Sequence, residues 1–355
     1  MKKVLLGDII ELAYGKSLPQ RSRVSGRFPV FGSNGQVDTH NKYLVGGPGI
    51  IIGRKGSVGE VIWSKQDFWP IDTTYHVKLK NPDDDLRYWY YVLKTLGLNK
   101  LNSHSAIPGL NRDVAYIKQV PLRSTLEQKK IADILSSLDE KIELNRRMNE
   151  TLEQLGQALF RHYFVDNPEA KNWDEGTLGD IMNITMGQSP PGKSYNNNGD
   201  GVIFYQGRAD FSLRYPNMRL FTTDPKRFAK VGDVLLTVRA PVGDVNQASE
   251  RCCIGRGLAA ISSRIGAVSF CYYYCHQLKA DFLEYNSEGT VFGSINSKQL
   301  KALKLKIPPI GLVEKFENEV AVIDKTIMLN SYQVKTLITL RDSLLPKLIS
   351  GEVEI

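Results

Sequence analysis

Two stretches of this 355-residue chain carry the same helical signature 185 residues apart, and no other feature restricts the fold as tightly. The first runs from Ser124 to Phe164 with no proline and one glycine, Gly156. A walk in steps of three and four from Ile131 meets Ile134, Leu138, Lys141, Asn145, Met148, Leu152, Leu155 and Leu159, with Leu135 and Ile142 beside it. That spacing lays apolar side chains along one face of a helix. Ser124 with Glu127 three residues on has the form of a capping box. At about 1.5 Å per residue the helix would run to roughly 55 Å, too long for one small core, so it needs a partner.

The partner is Gly311 to Ser350, where the same walk meets Phe316, Val320, Ile323, Ile327, Asn330, Val334, Leu337, Arg341 and Leu344. Asp139-Glu-Lys-Ile-Glu-Leu-Asn145 aligns with Asp324-Lys-Thr-Ile-Met-Leu-Asn330, and the same offset carries Leu152 onto Leu337. A single asparagine, Asn145 or Asn330, falls on each stripe near its middle. A lone buried asparagine costs stability but fixes register. The helices read as an antiparallel pair with Asn145 and Asn330 setting the register.

The repeat extends to the rest of the chain. Leu6-Gly-Asp-Ile9 and Gly15-Lys-Ser-Leu-Pro19 are echoed by Leu178-Gly-Asp-Ile181 and Gly187-Gln-Ser-Pro-Pro191. Gly53-Arg-Lys-Gly-Ser-Val-Gly-Glu-Val61 is echoed by Val238-Arg-Ala-Pro-Val-Gly-Asp-Val245, and Ile107-Pro-Gly-Leu-Asn111 by Phe292-Gly-Ser-Ile-Asn296. Short β-type runs broken by glycine, such as Gly49-Ile-Ile-Ile-Gly53, surround a helical segment at Leu86–Lys94. The chain is a tandem duplication of α+β class: two globular domains with curved, glycine-rich sheets, each followed by a long helix. The expected division is 1–123, 124–164, 165–308 (beginning with a polar linker to Gly176) and 309–355. An antiparallel pair would place the two domains at opposite ends of a rod.

Residue chemistry excludes more than it assigns. No apolar run approaches a membrane span, and Asp8 and Glu11 interrupt the N-terminal lysines and leucines before a signal core develops, so the cytoplasm is expected. The net charge of +8 suits a polyanionic partner without requiring one. Cys252, Cys253, Cys271 and Cys275 match no metal-ligand spacing and are expected to be buried thiols. Five scattered histidines (His40, His76, His104, His162 and His276) offer neither a metal site nor a nucleophile's partner. Asp83-Asp-Asp85 reads as the cap of the following helix. Gly187 to Ser194 satisfies the G-x-x-x-x-G-K-S phosphate-loop pattern, but Pro190 and Pro191 lack the N–H donors that mechanism needs.

What remains is a set of cations on small-residue loops: Arg54 and Lys55 with Ser57, Arg239 in the corresponding loop, Arg208 and Arg256. Guanidinium groups on such loops can approach phosphates or read guanine edges.

The doubled Leu-Gly-Asp-Ile starts, the GRKGSVGEV segment and the doubled lead into each long helix resemble the specificity (S) subunit of Type I DNA restriction–modification systems over essentially the whole chain. The second half departs from that pattern at Gly311-Leu-Val-Glu314 and at Arg239-Ala-Pro-Val242. The resemblance implies a non-catalytic adaptor that binds no cofactor. Two target-recognition domains would read the halves of an asymmetric bipartite site in double-stranded DNA, and the helices would form a coiled-coil spacer. Two methyltransferase subunits would dock on it, carrying S-adenosylmethionine for adenine methylation, and a translocase–nuclease subunit would bring ATP and Mg. It extends the candidate DNA contacts to Lys16, Ser17, Asn111, Arg112, Gln188 and Ser189. Two other readings compete: a nucleotide-binding enzyme using residues 187–194, and a coiled-coil scaffold without DNA binding.

Overall fold

The computed structural model describes residues 2–101, 109–286 and 293–354, and the chain divides into two compact units. The first comprises Met1–Leu144 with Gln333–Ile355, the second Asn145–Tyr332. These units differ from the four-part division expected above. Neither long helix stands alone, because the globular cores bury part of each helix's apolar face. His104, Ile107, Pro108 and Phe292 lie outside the described residues.

In the first unit β1 (Lys3–Leu5) leads through a single helical turn, α1 (Leu6–Ile9), to β2 (Ile10–Tyr14). Then come β3 (Phe28–Gly32), β4 (Gly35–His40), β5 (Gly49–Gly53), β6 (Val61–Ser64), β7 (Trp69–Pro70) and β8 (Thr74–Leu79). Helices α2 (Leu86–Thr95) and α3 (Arg112–Tyr116) precede β9 (Gln119–Pro121) and the long α4 (Thr125–Phe160). One antiparallel sheet has the order β2-β8-β5-β6; a second, β4-β3-β7, contains a parallel pair. Strand β5 is buried on both faces: Ile50 and Ile52 join Trp89 and Tyr91, while Ile51 packs with Phe31 and Phe68. A strand covered on both sides needs such an unbroken apolar run. Asp85 caps α2 by accepting from the Tyr88 backbone N–H at 2.7 Å, as expected of the aspartate run.

The second unit repeats this plan. A π-turn at Arg161–Val165 follows α4, and the stretch expected to be a linker supplies β10 (Asp174–Thr177), which pairs near the end of the unit. Next are α5 (Leu178–Ile181), β11 (Met182–Met186), β12 (Tyr195–Asn196), β13 (Val202–Tyr205), β14 (Phe221–Thr222) and β15 (Phe228–Ala229). They are followed by β16 (Val234–Thr237), β17 (Val245–Gln247), β18 (Cys252–Ile254), β19 (Leu258–Ser263), α6 (Val268–Gln277), α7 (Ser297–Lys301), β20 (Lys304–Ile307) and α8 (Ile310–Ser350). The sheet β11-β19-β16-β17 matches β2-β8-β5-β6 strand for strand. The other sheet grows to five strands, β12-β14-β13-β18-β15. The offset between halves rises from 172 at Gly15 and Gly187 to 184 at Thr74 and Leu258, so the added residues enlarge this second sheet. All four cysteines are buried, and no helix among the described residues is long and apolar enough to cross a membrane.

Within each unit the long helices run antiparallel. In the first, Arg341 Nη1 donates to Asp139 Oδ1 at 2.8 Å and Arg123 Nη2 reaches the Leu348 carbonyl at 3.3 Å. In the second, Asn330 Nδ2 donates to Asn149 Oδ1 at 2.9 Å and Tyr163 Oη to Glu319 Oε1 at 2.8 Å. The register partner of Asn330 is thus Asn149, one turn beyond Asn145, which is itself fully buried. Ser124 and Glu127 make the expected reciprocal cap, at 3.0 and 3.3 Å.

The α8 stripe is placed as expected, with Phe316, Val320 and Ile327 buried. On α4 the buried face is turned by one residue. Leu135, Ile142, Asn149, Gly156 and Phe160 face inward, whereas Ile134, Met148 and Leu155 are exposed. The turn follows from what packs on it. Tyr91 Oη donates to Asp139 Oδ2 at 2.6 Å, and Gly156 lies directly against the Tyr273 hydroxyl. Tyr273 in turn donates to Asp324 Oδ1 at 3.0 Å, so each globular domain grips its helices through a tyrosine and the repeat-equivalent aspartate.

Candidate nucleic-acid interface

Main-chain hydrogen bonds gather the glycine-rich loops of the first unit at the start of β8. Gly15 N donates to Thr74 O at 3.0 Å, Lys16 N to Pro70 O at 3.0 Å, and Arg54 N to Thr73 O at 2.9 Å. Leu110 N closes the group by donating to Arg54 O at 2.9 Å, which brings in the segment carrying Asn111 and Arg112. Lys16, Ser17, Lys55 and Arg112 are exposed; Arg54 and Ser57 are half-buried. Among the described residues, Lys16, Arg54, Lys55 and Arg112 have no carboxylate within ion-pair distance.

Two tyrosines that the sequence reading did not single out organise this cluster. The Arg54 and Arg112 guanidinium carbons lie 5.1 and 5.2 Å from the centre of the Tyr14 ring, and Arg54 lies 6.0 Å from that of Tyr75. The tyrosine rings are 5.1 Å apart. Arg54 Nε is shielded from solvent and lacks a hydrogen-bond acceptor among the described residues, so aromatic packing holds this arginine. Burial pushes the Tyr75 phenol up to about 12; Tyr14 adds to the rise and Arg54 and Arg112 oppose it.

The second unit builds the same loop frame. Gly187 N donates to Leu258 O, Gln188 N to Ile254 O and Val238 N to Gly257 O, each at 2.9 Å, and Ile295 N to Val238 O at 3.0 Å. These bonds make Val238 the counterpart of Arg54 and Arg239 that of Lys55; matching isolated bridges join Lys55 to Gly109 and Arg239 to Ser294. The same offsets put Met186 in the place of Tyr14 and Ser297 in that of Arg112. Tyr14, Arg54 and Arg112 are therefore all replaced.

Exposed Arg239, Arg256 and Gln188, with half-buried Ser189, form the second unit's group; Arg256 N donates to Ser189 Oγ at 3.3 Å. Two candidates have other partners. Arg208 Nε donates to Asp244 Oδ2 at 2.6 Å, a carboxylate that Lys279 also bridges at 3.0 Å, so that arginine is already ion-paired. Asn111 caps α3, accepting from Asp113 N at 2.8 Å, just as Asn296 caps α7. An asparagine immediately before a short helical run was the available signal for that role.

The phosphate-loop pattern has none of the required geometry. Gly192–Ser194 is one 3₁₀ turn followed by a strand, and the buried Ser194 hydroxyl bonds Pro191 O and Thr222 Oγ1, each at 2.7 Å. No α-helix begins at Lys193 to aim its N–H groups at an anion.

The chain matches the family described as the Type I restriction modification DNA specificity domain twice, over residues 1–154 and 170–317. A Methanocaldococcus jannaschii chain named for the type I restriction enzyme MjaX specificity subunit is 34% identical over 67% of this chain and 60% of its own length. This chain thus aligns with less than two thirds of that relative. The MjaIX specificity subunit of the same organism is 25% identical over 86% of this chain and 78% of its own. The fold is shared with the S subunit of a Type-I restriction-modification system from M. genitalium, at a TM-score of 0.69 and 20% identity over 98% of this chain and 96% of that one.

Proposed function

Because the chain belongs to the Type I restriction-modification DNA specificity family, we propose that each of its units reads one half of an asymmetric, bipartite site in double-stranded DNA. The chain does no chemistry in this reading. Two methyltransferase subunits dock on it and methylate adenine, and a translocase–nuclease subunit joins the same complex. S-adenosylmethionine, ATP and Mg belong to those partners.

The observation that carries the reading is the pair of loop clusters. Equivalent main-chain bonds present cations that have no carboxylate partner among the described residues in both units, at Arg54, Lys55 and Arg112 in one and at Arg239 and Arg256 in the other. Phosphate and base-edge contacts need such groups, and a scaffold without DNA has no use for them. Different side chains on one frame would give different half-sites.

The test is to purify the chain with its methyltransferase subunits, measure DNA affinity against salt, and map methylated adenines in cells with and without the chain. The expected outcome is one interrupted, non-palindromic motif whose methylation requires the chain, with affinity falling steeply as salt rises. Affinity independent of salt, or methylation unchanged by deletion of the chain, would overturn it.

A further inference from the structure

The first unit holds two arginines in a way the second does not. Tyr14 is half exposed, and the guanidinium groups of Arg54 and Arg112 both lie near its ring. They reach it from different elements, Arg54 after β5 and Arg112 at the start of α3, while Tyr14 ends β2. Neither arginine has a carboxylate partner among the described residues, and the Nε of Arg54 is enclosed with no acceptor. Ordered arginines are commonly held by a carboxylate; these two are positioned by an aromatic ring, which leaves them free to donate to another partner.

A guanidinium offers two parallel N–H donors that match O6 and N7 of guanine, the commonest base-specific pairing in the major groove. Such a match demands that the fork be held still, since a mobile arginine binds any phosphate equally well. Tyr14 supplies that rigidity. We propose that Tyr14 splints Arg54 and Arg112 as a fork that reads guanine in the half-site of the first unit. Arg54 makes the base contact and Tyr14 is a positioning residue. In the second unit Met186, Val238 and Ser297 occupy the three positions, so its half-site is read without this device. The inference rests on the DNA-reading function proposed above and deepens it.

The experiment compares methylation motifs in cells carrying the methyltransferase subunits with the wild-type chain, Arg54→Lys, Tyr14→Ala or Tyr14→Phe. Arg54→Lys keeps the charge and removes the fork. It should relax one guanine position, in one half-site only, by roughly tenfold in discrimination. Tyr14→Ala should relax the same position, and Tyr14→Phe, which retains the ring, should keep it. Continued methylation at the unrelaxed positions reports that each variant is folded and assembled. The proposal is overturned if Arg54→Lys leaves the motif intact, if the relaxed base pair contains no guanine, or if Tyr14→Ala behaves as wild type. It is equally overturned if the variants weaken binding to all sequences alike with a shallower salt dependence, the signature of a phosphate contact. Failure of the underlying DNA reading would look different, since the wild-type complex itself would then methylate no specific motif.

Discussion

Arg214 donates through Nη1 to Glu153 Oε2 across 2.9 Å, with the two side chains 1% and 7% exposed. Its other terminal nitrogen lies 3.0 Å from Asp324 Oδ2, Nε donates to Gln247 Oε1 at 3.0 Å, and the guanidinium sits 3.4 Å from the centre of the Tyr272 ring. The arginine comes from the enlarged part of the second unit and its carboxylates from α4 and α8. Removing it strands two carboxylates in a dry site. Arg214→Met should destabilise the second unit by about 3–5 kcal/mol, read as a lower denaturant midpoint.

Gly156 tests the packing of α4. A glycine inside a helix normally costs about 1 kcal/mol relative to alanine, so Gly156→Ala would ordinarily stabilise. Here an added methyl would run into the Tyr273 hydroxyl, which is itself committed to Asp324. Thermal unfolding should show the opposite sign, a lower Tm.

His276 gives the second unit an acid-sensitive element. Burial first, and then Arg214 and Lys279, press its pKa down to about 4, below the ordinary value near 6.5. The unfolded chain therefore binds the extra proton, and stability falls as pH drops from about 6.5 to about 4. One proton limits the slope to about 1.4 kcal/mol per pH unit, and the half-buried ring keeps it below that. Urea midpoints at pH 7 and 4.5 should converge for His276→Gln more than for the wild type.

The Asn149–Asn330 bond predicts a non-additive pair. Asn149→Leu leaves the Asn330 amide without its acceptor and should cost about 1–3 kcal/mol. Asn149→Leu with Asn330→Leu should recover most of that loss. Equal and additive single losses in a double-mutant cycle would show that the amides do not act as a pair.

Both long helices, the Asp85 cap and the Ser124–Glu127 cap were legible because each rests on residues close in sequence, and the duplication because its motifs recur in the same order. The buried face of α4 was not. Ile134 and Leu135, like Lys141 and Ile142, offer adjacent candidates, and the choice between them belongs to Tyr91 and Tyr273 on distant helices. Asn149 was missed for the same reason: an asparagine reveals its burial only when the opposite helix is in place. Most of the candidate loop cations could be found from glycine spacing, but their partners could not. Asp244 lies 36 residues from Arg208, and Tyr14 lies 40 from Arg54.

The loop frames of both units are tied by matching main-chain hydrogen bonds, from Gly15 to Thr74 in one and from Gly187 to Leu258 in the other. Peptide bonds are indifferent to the side chains they carry, and the two units demonstrate it by seating arginine or valine, tyrosine or methionine, on the same hydrogen-bonded positions. Substitution at those seats leaves the scaffold's bonds intact. On the DNA reading proposed above, the side chains that face the partner can change while the main-chain frame that presents them persists.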